Sequence, residues 1–161
     1  MKRALSTAVL TCLVAGMFAI STFADELAFF APVLGSNPGI TIAGVQSGGA
    51  PWVVKRAFAT LTDDGRLRVD VRGLILPSTG NTGPVTEVSA SVVCSDAVTA
   101  TSAAVPLSKD GNAEIHAKLH VPSPCFGTVV LIRVAGANGT TLPAPGPWIA
   151  ASGVAKDSDD N

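Results

Sequence analysis

Leu67, Val69 and Val71 alternate with Arg66, Arg68, Asp70 and Arg72. The same two-residue rhythm returns where Ala113, Ile115, Ala117, Leu119 and Val121 alternate with Glu114, His116, Lys118 and His120. A strand sends successive side chains to opposite faces, so each run has one apolar and one charged face and predicts a half-buried strand. Val85 to Cys94 and Thr128 to Val134 are rich in β-branched residues and predict further strands. Asp64-Gly65 and Asp110-Gly111 mark hairpin turns, because glycine supplies positive φ at little cost. No segment sustains a capped helical period. Strands are expected at 52–62, 66–76, 85–94, 98–107, 113–121, 127–135 and 148–152, with alanines diluting the pattern in the fourth. Regular spacing with turn signals predicts an all-β fold, an antiparallel two-sheet sandwich of about seven strands with immunoglobulin-like architecture. Only the architecture is expected: the chain has no tyrosine for a tyrosine corner, and both tryptophans lie outside the cysteine interval.

The two ends of the chain break this rhythm. Lys2 and Arg3 precede an apolar run from Ala4 to Ile20, and small residues stand at Thr22 and Ala24 ahead of Asp25-Glu26. That order predicts a cleaved secretory signal over residues 1–24 and a secreted or periplasmic protein. Residues 25–51, rich in Gly, Pro, Ser and Asn from Ala31 onward, predict a flexible leader, and residues 154–161 an acidic tail. The domain itself is expected at 52–153. Lys2 and Arg3 leave with the signal, so nine basic residues face twelve acidic ones, a net charge of −3. That balance argues against general nucleic-acid binding. No later apolar run is long enough to span a bilayer as a helix.

Cys12 falls inside the signal, which leaves Cys94 and Cys125. An even count in an exported chain predicts one disulfide. Zinc is a poorer reading, because no further Cys or His stands at ligand spacing. If each connection reverses direction, the end of strand 85–94 and the start of strand 127–135 meet at one end of the domain, as a bridge requires. The same counting runs the first and last strands in one direction. Their Pro51-Trp52 and Pro147-Trp148 entries then fall together at the opposite end.

The segments PWVVKRAFATLTDDGRLRVDVRGLILP, TEVSASVVC, AEIHAKLHVPSPC and WIAASG resemble small secreted bacterial β-sandwich proteins of unassigned function. The resemblance covers nearly all of the expected domain. It implies export and no particular activity.

Candidate chemistry is sparse. His116 and His120 would share a strand face but stand about 13 Å apart along it. Asp63 and Asp64 sit in a turn where aspartate bonds its own backbone, and the three aspartates of the tail lack the glycine and terminal glutamate of a calcium loop. No nucleophile elbow, zinc-protease helix or phosphate loop is present. No catalytic, cofactor-binding or metal-binding residue is therefore expected. Two features point to recognition: Lys55, Arg56, Arg66, Arg68 and Arg72, clustered on the first hairpin, and the paired Trp52 and Trp148. The first suits an anionic envelope polymer, or guards a sheet edge against aggregation. The tryptophans either contact another protein or plug the end of the core. The expectation is an exported, non-catalytic β-sandwich with a binding or structural role at the cell envelope or outside the cell. The alternatives are a secreted enzyme and a self-assembling envelope subunit whose leader adds a strand to a neighbour.

Overall fold

The computed structural model describes residues 26–154, so the expected signal segment and most of the acidic tail lie outside the described residues. The strands are β1 (Leu27–Gly35), β2 (Thr41–Ile42), β3 (Val45–Gln46), β4 (Arg56–Thr62), β5 (Arg66–Arg72) and β6 (Val85–Cys94). They continue with β7 (Ala97–Thr101), β8 (Val105–Pro106), β9 (Ala113–Lys118), β10 (Val129–Ala137), β11 (Thr140–Thr141) and β12 (Trp148–Ser152). The described residues contain no helix. All ladders are antiparallel, in one curled sheet ordered β7-β6-β10-β12-β1-β4-β5-β9, with β8 paired to β6 and β11 to β10. β2 and β3 form a small second sheet.

Alternation carries over into packing. Leu67, Val69 and Val71 of β5 and Ala113 and Ile115 of β9 are all buried on the inner face. Val88, Ala90 and Val92 of β6, with Val130 and Ile132 of β10, face them across one core. Fully burying a Val, Leu or Ile side chain contributes about 1.5–3 kcal/mol, so this core is what holds the curl closed. The turns follow their glycines. Gly65 and Gly111 have φ of 87° and 75°, and a side chain at either would run into the backbone of Leu119 or Leu74.

The structure departs from the expected leader. Residues 27–35 form β1, which pairs with β4 through Pro32 and then with β12 from Val33 onward. It is the one strand hydrogen-bonded to both halves of the sheet. Pro32 falls where the strand changes partner, an irregular position of the kind that tolerates a strand proline. The rest of the former leader forms a strap, β2–β3, across the outer face of β10 and β12. There Ile42, Ala43 and Val45 cover a second small cluster of Val93, Leu131 and Trp148. The strand expected at 98–107 is broken into β7 and β8 at Ser102, whose amide and hydroxyl both bond Ala90 of β6.

Candidate functional site

Cys94 and Cys125 are bridged, with Cα atoms 5.0 Å apart. The end of β6 and the start of β10 meet there, since Val93 pairs with Val129. At the other end, β4 and β12 run in the same direction because each is antiparallel to β1 between them. Gly48 lies between the two strand entries: a methyl there would sit 3.5 Å from Trp52 Nε1 and 3.8 Å from the Trp148 carbonyl. The tryptophans nonetheless serve opposite faces of the sheet. Trp52 belongs to the main core. Trp148 lies under the strap and donates its indole N–H to Val45 O at 3.1 Å. Both are buried, at 6% and 4% exposure, so the recognition surface considered for them is replaced by two structural plugs.

The basic residues do form a surface. Their side chains alternate with the core positions of β4, β5 and β9, and register lines them up on the outer face in rows. Arg66 lies opposite Lys118, with its amide donating to Thr62 Oγ1, and Thr60, Arg68 and His116 make the next row. Phe58, Asp70 and Glu114 follow, then Arg56 opposite Arg72. β1 adds Phe30 beside Thr60, and its ring stacks on Phe58 with centroids 5.5 Å apart. Both rings are exposed, at 58% and 40%. Lys55 is exposed just before β4.

Ion pairs temper part of this field. Arg72 pairs with Asp70 at 2.9 Å and with Glu114, and these carboxylates raise its pKa. Asp64, at the turn, pairs with Arg66 at 3.2 Å and with Lys118, and also accepts from Thr62 Oγ1. Lys55, Arg56 and Arg68 form no ion pair among the described residues. Six cations thus share the face and its rim with Asp64, Asp70 and Glu114, and Asp63 is exposed in the same turn as Asp64. His116 and His120 are exposed on or just past β9, and no group of three or more His, Cys, Asp or Glu able to hold a metal occurs among the described residues.

Asp64 offers a direct check on this electrostatics. Hydrogen bonds from Lys118 and Thr62 hold its carboxyl well below its ordinary 3.8. A carboxylate with a depressed folded pKa stabilises above its ordinary value and loses that contribution as the pH falls through the folded one. Asp64→Asn should therefore lower the thermal midpoint at pH 7. The gap should close as the pH falls below about 4, and should shrink in high salt because the group is exposed. Thermal unfolding of both proteins between pH 2 and 7 checks this, and a gap that widens in acid contradicts it.

Comparison with family models, curated proteins and solved structures finds no match to this chain.

Proposed function

We propose that this protein is an exported, non-catalytic β-sandwich of immunoglobulin-like architecture whose outer β4–β5–β9 face binds an anionic polymer of the bacterial cell envelope. The sandwich reading is supported by one core that takes side chains from both ends of the curled sheet. Export is supported by the basic and apolar order of residues 1–24, and the disulfide is compatible with an oxidising compartment.

One observation carries the binding reading. Arg56 stands directly opposite Arg72, and Arg66 opposite Lys118. Like charges set across from each other in antiparallel strands destabilise the sheet by roughly 0.2–1 kcal/mol per pair. Edge protection explains charges on β9, the terminal strand, but not their concentration on β5, which is paired on both sides. Asp64, Asp70 and Glu114 offset Arg66, Lys118 and Arg72 within the face, and a polyanion would neutralise the cations left over, Lys55, Arg56 and Arg68. The exposed Phe30–Phe58 pair beside these rows adds apolar contact, which favours a polymer of acidic sugars over a bare polyphosphate.

The test is binding of polygalacturonate by calorimetry in low salt, with Arg56→Glu/Arg68→Glu as the variant. Both side chains are exposed, so the thermal midpoint should hold. Affinity should fall at least tenfold, about 1.4 kcal/mol. Undiminished binding by the variant, or no binding by the native protein at low ionic strength, would defeat the proposal.

A further inference from the structure

On the other half of the sheet, the strap and the loop before β12 enclose an open groove of about 550 Å³, lined by Gly44, Gln46, Ser47, Gly49, Gly146 and Arg133. Arg133 is the one charged residue in that lining. It points outward from β10, half-buried, and its guanidinium is fixed from one side. Nε donates to Gly146 O at 2.8 Å and Nη2 donates to Pro145 O. Guanidinium carries five N–H groups in a planar fork, so these two bonds leave the edge formed by Nη1 and the second Nη2 hydrogen. That edge meets no acceptor among the described residues. Partial burial lowers the Arg133 pKa.

A counter-charge was within reach of the fold. Ser89 stands opposite Arg133 on β6, and Glu87 is two positions further along the same strand. Glu87 instead packs against Gly136, where one carboxylate oxygen is buried without a hydrogen bond. The arginine turns the other way, to backbone carbonyls. It is oriented by neutral backbone groups and forms no ion pair among the described residues.

We propose that this groove is a second binding site, separate from the basic face, that takes a small molecule through a single carboxylate gripped bidentately by Arg133. The planar carboxylate matches the free edge of the fork. One cation balances one negative charge, whereas a phosphate dianion would be left half-neutralised in a groove with no second cation. The space lies within the range for small-molecule sites and fits a ligand of roughly dipeptide size. Gln46 supplies polar contact along the wall.

Amide NMR of the native protein tests this with N-acetyl-alanyl-alanine and its C-terminal amide. The acid should shift the Arg133 Nε–H resonance and the amides of Gly44, Gly49 and Gly146 saturably, and the uncharged amide should not. Arg133→Lys keeps the charge without the fork and should bind at least tenfold more weakly. Arg133→Gln should abolish the shifts, but it also loses the latch to Gly146, so the acid-against-amide comparison on unmodified protein stands independently of either variant. Equal shifts by acid and amide, or no shifts with either, overturn the proposal. Tighter binding of inorganic phosphate than of the acid overturns its carboxylate specificity. None of these outcomes bears on polygalacturonate binding at the other face.

Discussion

A chain that begins at Ser36 should not fold. β1 supplies the hydrogen bonds that join β4 to β12, and with them the continuity between the two halves of the sheet. It also supplies Val33, 2% exposed, and Phe29, which packs against the main core. Two apolar side chains at about 1.5–3 kcal/mol each, with roughly eight ladder bonds at about 0.5–1.5 kcal/mol net each, put the loss on the order of 10 kcal/mol. A domain of this size has only about 5–15 kcal/mol of stability to lose. Circular dichroism and proton NMR of chains beginning at Asp25 and at Ser36 make the comparison. The longer chain should show dispersed amide signals and a cooperative melt, the shorter one neither. A cooperative melt within a few degrees of the longer chain would show that β1 is an accessory strand. It would also return the segment to the role of a free donor for a neighbouring sheet, which its pairing inside its own chain now argues against.

β1 was hidden for a physical reason. A strand announces itself by period two only where one face is buried and the other solvated along its whole length, as in β5 and β9. Leu27 to Gly35 changes partner midway, its exposure follows no alternation, and Pro32 stands where it changes. Its sequence therefore reads as irregular. The strap is harder still: β2 and β3 are two residues each, and what holds them is contact with Trp148 and Leu131, far away along the chain. Local pattern carries no trace of such a contact. The tryptophans show what strand counting can do. Reversal at each connection places their entries at one end of the domain, but the side of the sheet each indole occupies depends on the strap and cannot be counted. The basic face was legible as a cluster in sequence. Its like-charged rows, the stacked phenylalanines and the inclusion of Lys118 emerge only once β9 is set in register beside β5. Arg133 gave no signal at all, because a single arginine in an apolar strand gains meaning only from the carbonyls that orient it.

The disulfide is the second large lever. Replacing Cys94 and Cys125 together with serine should cost about 3.5–4 kcal/mol, because the bridge closes a loop across 31 residues in the unfolded chain. The native geometry localises the effect. Cys94 ends β6 and is buried at 4%, while Cys125 packs against the main core at the mouth of β10. The segment from Ser95 to Pro124 leaves β6, crosses through β7, β8 and β9, and returns to that point, so it includes the edge strands at both ends of the curled sheet. Loosening it in the unfolded state should lower the denaturation midpoint while leaving the ordered core of β5, β6 and β10 in place. Urea unfolding of the double variant, beside native protein with and without reductant, measures this. The midpoint should fall with nearly the same dependence on urea in the variant and the reduced protein. A double variant that matches the oxidised protein would mean the unfolded chain is already confined without the bridge. A variant that fails to fold at all would mean the remaining core is worth less than the burial of its strands implies.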